Sequence, residues 1–131
     1  MKNQLKVNCI GNVDDDELIN KIILRGKKDE GRHQDLMCYM PNLKTWVRLC
    51  RDKQHDTIQW NANPRFKGEI PMPTLKEWNV ALTAKDVKKA FSSYHSAFPF
   101  YISGDFGCRA FVNNIIKQLI KQDSLSRKRP V

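Results

Sequence analysis

A chain of 131 residues with 40% apolar content is long enough for one core and short for two domains, and 23 Lys and Arg against 14 Asp and Glu leave a net charge of +9. No apolar run approaches the roughly 18 residues of a membrane span, and the opening "MKNQLKVNCIGNVDDD" lacks the uninterrupted apolar block of a secretory signal, so the chain reads as soluble and intracellular, cytoplasmic or nuclear. Cys9, Cys38, Cys50 and Cys108 form no C-x-x-C pair and His33 and His55 fall outside zinc-finger spacings, so the cysteines read as free thiols with no metal or organic cofactor implied.

In chain order, "QLKVNCI" alternates apolar and polar residues and reads as a strand. "VDDDELINKIILRGKK" begins with four acids, continues with Leu18, Ile19, Ile22 and Ile23 at helical spacing, and closes on Arg25 and Gly26. Acids at the start and a basic, glycine-terminated end predict a short helix, with a strand over "KIILR" as the competing reading. "DLMCYM", "TWVRLC" and "TIQW" are short and rich in β-branched and aromatic residues, separated by "PNLK" and "RDKQHD". Turn chemistry at both breaks implies an antiparallel meander. The stretch "CYMPNLKTWVRL", with Tyr39, Pro41 and Trp46, resembles one strand pair of a kelch blade, but a propeller needs several blades of about 50 residues. It therefore reads as a hairpin only.

"NANPRFKGEIPMPT", with three prolines and a glycine, reads as a linker. Beyond it, Thr83 and Asp86 have capping-box spacing, and Val87, Ala90, Phe91 and Tyr94 follow on one helical face. Pro99 ends this helix, and "FPFYIS" is either a buried strand or an apolar loop. A last helix from about Asp105 to Gln122 gathers Cys108, Phe111, Val112, Ile115, Ile116, Leu119 and Ile120 on one wide face that must be buried against the sheet. The expected fold is a single α+β domain over 1–125, an antiparallel meander packed against two or three helices. A basic tail, 126–131, follows it.

Cys108 carries the chemical interest. A cysteine in the first turn of a helix feels the positive end of the helix dipole, which favours a nucleophilic thiolate, and Gly104 and Gly107 would let the preceding loop bend close to the sulfur. The competing reading makes Cys108 a small core residue at the start of the apolar stripe. "LTAKDVKKAFSSYHSAFPFYISGDFGCRAFVNNIIKQLI", residues 82–120, resembles the carboxyl-terminal portion of the circularly permuted papain-like proteins, the group containing lecithin:retinol acyltransferase, its phospholipid-acyltransferase relatives and the PPPDE isopeptidases. In that group an Asn-Cys pair opens a long buried helix, with Phe and a small apolar residue three and four positions on. Cys108, Phe111 and Val112 match, and Asn113, Ile116 and Leu119 continue in kind, whereas Gly107 stands where asparagine is usual.

The resemblance implies a cysteine hydrolase or acyltransferase acting on an acyl, ester or isopeptide substrate, with Cys108 attacking a carbonyl and backbone amides near Gly107 and Cys108 holding the oxyanion. Gly107 and Arg109, flanking the cysteine, are the expected substrate-binding positions. The group's histidine lies upstream at a strand entrance, which His33, before "QDLMCYM", and His55, before "TIQW", could each supply. If "TWVRL" is instead the histidine strand, Thr45 stands where the base belongs and the chain is an inactive relative. His95, at the end of the amphipathic helix, reads as a C-terminal dipole partner.

The charge supports a different class, a noncatalytic module that binds nucleic acid or a protein partner. Trp60 with Arg65 and Phe66 would form a stacking surface for bases, and "RKRP" would serve as a nuclear address. Asp14 to Asp16 at a helix start need no cation to explain them.

Overall fold

The computed structural model describes residues 4–26, 34–62, 72–102 and 107–127. Six strands and two helices follow one another as β1 (Lys6–Ile10), β2 (Leu18–Arg25), β3 (Asp35–Met40), β4 (Thr45–Arg51), β5 (His55–Ala62), β6 (Thr74–Thr83), α1 (Ala84–Ala97) and α2 (Cys108–Arg127). They form one sheet of order β1-β5-β4-β3-β2-β6 with both helices packed on one face, an α+β domain. The expected meander is β3 to β5, antiparallel throughout, and β2 continues it antiparallel beside β3. Two flanking strands extend it: β6 pairs antiparallel with β2, and β1 pairs parallel with β5, which makes the sheet mixed. "FPFYIS" holds no strand among its described residues.

The helix expected from Asp14 is a correction, because Leu18 to Arg25 is strand. Ile19 and Ile22 both enter the core beneath the helices, while Ile23 joins a smaller cluster on the opposite face with Met37 and Ala62. The register against β6 shifts between Ile19 and Lys21. Across that shift β2 advances two residues and β6 three, so the extra residue of the bulge lies on β6, and Ile19 and Ile22, three apart on β2, share a face as they would on a helix. The acids ahead of it do meet a helix start, but it is that of α1. Asp15 and Glu17 offer their carbonyls to the Lys85 and Ala84 N–H groups at 2.9 and 2.8 Å, satisfying two donors that have no partner within α1.

α1 begins as its spacing predicts: the Asp86 carboxylate accepts from the Thr83 N–H at 2.9 Å and the Thr83 hydroxyl at 3.2 Å. Val87, Ala90, Phe91 and Tyr94 are buried, as are Phe111, Val112, Ile115, Ile116 and Leu119 of α2. They close over Ile22, Leu36, Cys38, Val47, Leu49 and Ile58 of the sheet. The far end of α2 reaches the β6 edge, where Asp123 accepts from the Ala81 N–H at 2.7 Å and Arg127 donates to the Asn79 carbonyl at 3.4 Å. These are outward groups of an edge strand, which would otherwise be free to pair with another chain. β1, at the opposite edge, is exposed along its whole length.

Candidate functional site

The end of the helix layer where α1 stops and α2 begins holds a buried polar cluster on the helix-covered face. Arg51 closes β4 and Asp56 stands directly opposite it on β5, so the pairing register alone puts a cation beside an anion. Both side chains are wholly buried, and the contact is a two-pronged one, Nε to Oδ1 at 2.6 Å and Nη2 to Oδ2 at 2.7 Å. The guanidinium also donates to the Phe98 carbonyl at 2.6 Å and the Phe100 carbonyl at 3.4 Å, occupying backbone acceptors that α1 leaves open where it stops. It lies 4.8 Å from the Tyr94 ring centre and 5.5 Å from that of Phe111, so its flat faces rest on aromatic carbon. Burial pushes the Tyr94 phenol above its ordinary value, with Arg51 opposing the shift and Asp56 adding to it.

His95 completes the cluster. Its Nδ1 lies 2.6 Å from Asp56 Oδ2, and its side chain keeps 20% exposure. A carboxylate facing Nδ1 favours the ring proton in that bond, so a neutral imidazole held this way presents Nε2 as its acceptor. The opening of α2 faces the same end: Phe111, one turn into the helix, packs against Tyr94 with ring centres 5.5 Å apart, and Tyr94 precedes His95. Cys108 lies one turn before Phe111 and is half-buried. Among the described residues, then, a histidine held by a buried carboxylate and a cysteine at a helix start occupy one end of the helix pair.

The residues singled out in the sequence divide. Gly107 is buried and its carbonyl accepts from the Phe111 N–H at 3.1 Å, starting the helix ladder, while Arg109 is exposed. His55 opens β5, but alternation turns it to the face opposite the helices, since Asp56, Ile58 and Trp60 point toward them. It lies 3.9 Å from Asp52 and away from Cys108's layer. Trp60 is 3% exposed within the core, its ring 5.4 Å from the Lys88 ammonium, and presents no open face for a base. His33 and Arg65 lie outside the described residues. His95, set down from sequence as a dipole partner, is the histidine that a carboxylate orients. The one available signal was the acid before "TIQW", whose partner across the fold no local pattern discloses.

A second ionic group lies on the other face of the sheet, where the Asp35 carboxylate, 1% exposed, joins Arg25 at 2.6 Å and Arg48 at 2.7 Å. No group of three His, Cys, Asp or Glu among the described residues would hold a metal ion. None of the described helices is long and apolar enough to cross a membrane. Comparison with family models, curated proteins and solved structures finds no match for this chain.

Proposed function

We propose that the chain is a thiol-dependent acyl hydrolase or acyltransferase of the permuted papain-like kind, with Cys108 as nucleophile and His95, oriented by Asp56, as its base. The observation that carries this reading is the 2.6 Å contact between His95 Nδ1 and the buried Asp56 carboxylate, at the end of the helix layer where Cys108 opens α2. A carboxylate on Nδ1 fixes the tautomer in which Nε2 accepts a proton, the arrangement a thiol nucleophile requires. In the first half-reaction Nε2 takes the thiol proton, sulfur bonds to the substrate carbonyl carbon, and the leaving group departs with the proton from the imidazolium. Water or an acceptor alcohol or amine then attacks the thioester, giving its proton to Nε2 and restoring the thiol. The N–H groups of the first turn of α2 have no partner within the helix and would receive the oxyanion.

The test is alkylation of the native protein by iodoacetamide at about pH 6–7, read by mass spectrometry, together with burst hydrolysis of an activated ester. Cys108 is expected to react faster than the exposed Cys9. His95→Ala should slow Cys108 and abolish the burst, while His55→Ala leaves both unchanged. Equal rates at Cys108 in wild type and His95→Ala, with no burst in either, would reject the catalytic reading and leave an inactive relative.

A further inference from the structure

α1 and α2 turn their apolar faces to the sheet, and what they turn outward carries one sign of charge. The exposed positions of α1 include Lys85, Lys89, Ser92 and Ser96, which fall along one stripe at helical spacing. Those of α2 include Arg109, Asn113, Lys117 and Lys121, a row repeating every four residues. The two helices hold only two acids, and both are engaged: Asp86 with Thr83 at the start of α1, and Asp123 with Ala81 and Arg127 at the end of α2. Outside the helices, the acidic run 14–17 meets the start of α1, and Asp15 is its member paired with a helix lysine. It holds Lys88 at 2.7 Å and feels Lys85, so the α1 stripe is balanced at its first residue but not beyond.

We infer that this outer helix face is a docking surface for nucleic acid, engaged through phosphates without reading bases. Charge complementarity names the occupant, and the spacing of the row fits it. Arg109 to Lys121 spans about 18 Å at 1.5 Å per residue, the axial length over which one strand of B-DNA presents about five phosphates. Hydroxyls and amides between the cations, Ser92, Ser96 and Asn113, suit phosphate oxygens. A lipid surface fits less well, because a helix lying in a membrane needs an exposed apolar face and both helices spend theirs on the core. Leu125, past the end of the row, is the single large apolar side chain exposed on either helix. The Phe and Tyr rings of the two helices, Phe91, Tyr94 and Phe111, are all buried, so this face offers none for base stacking and phosphate contact is the mode.

The experiment is fluorescence anisotropy of a short mixed-sequence DNA duplex titrated with the full chain between about 50 and 200 mM salt. Contact through Lys89, Arg109, Lys117 and Lys121 predicts a slope of log affinity on log salt of about −3 to −4. Lys117→Glu with Lys121→Glu should lower affinity roughly tenfold or more at low salt and cut the slope to about half. Lys117→Gln with Lys121→Gln gives the same direction more gently and serves if the acidic pair fails to keep its circular dichroism. Lys128→Ser with Arg129→Ser should retain most binding. No binding at low salt, wild-type binding by the helix variants, or loss confined to the tail variant would each overturn the assignment. So would capture by phosphatidylserine vesicles without affinity for the duplex.

Discussion

Asp56→Asn is the most informative single change, because it removes one charge and almost no volume from a pair whose two side chains are both fully buried. Both Asp56 oxygens accept from Arg51, at 2.6 and 2.7 Å, and Oδ2 also faces His95 Nδ1 at 2.6 Å. An amide keeps one acceptor and turns the other end into two donors, which then confront a guanidinium that only donates. Arg51, fully buried, loses the carboxylate that faces it across the strand pair, and breaking a buried pair from one side costs about 3–5 kcal/mol. Against a typical domain stability of about 5–15 kcal/mol, and about 3–5 °C of melting temperature per kcal/mol at this length, the variant should melt about 10–20 °C lower. Urea unfolding followed by circular dichroism gives the free energy, and calorimetry gives the melting point. Arg51→Met with Asp56→Leu should recover part of the loss by removing both charges. It cannot recover all of it, since the Phe98 and Phe100 carbonyls lose their donor. An Asp56→Asn protein within about 1 kcal/mol of wild type would refute the claim that this pair is a closed, dry contact.

Two further perturbations test other parts of the fold. Burial pushes the Cys38 thiol from 9.0 up to about 12, so the native state holds a proton that the unfolded chain releases, and stability contributed by this group is complete below pH 9 and falls as pH rises toward 12. The slope should approach about 1.4 kcal/mol per pH unit, and Cys38→Ala should flatten it in urea titrations; identical pH profiles for the two proteins would contradict the assignment. Asp123→Ala should cost about 1 kcal/mol in thermal unfolding and uncover the Ala81 N–H on the β6 edge, raising concentration-dependent association in analytical ultracentrifugation. Unchanged stability and a monomer at all concentrations would show that the edge needs no cover.

Local pattern was enough for both helices, because Val87 to Tyr94 and Phe111 to Leu119 bury one face in the way their spacing demands, and a helix satisfies its own backbone. It was enough for the β3–β4 hairpin as well, where "PNLK" brings Lys44 to a φ of 53° between two alternating strands. Tertiary structure decided what depends on a register. The register shift between β2 and β6 leaves Ile19 and Ile22 with the spacing of a helix, and β6, where Lys76, Trp78, Val80 and Leu82 alternate, was hidden behind the prolines that precede it. Asn61, at a φ of 58°, lets Trp60 enter the helix-covered core while Ala62 packs on the opposite face. The Arg51, Asp56 and His95 cluster joins one strand pair to a helix end far away in sequence, and His55 is excluded from it by a single step of alternation. A one-residue change of register reverses which face a side chain meets, and hydrogen bonds across the whole sheet select that register, so no window of sequence contains it.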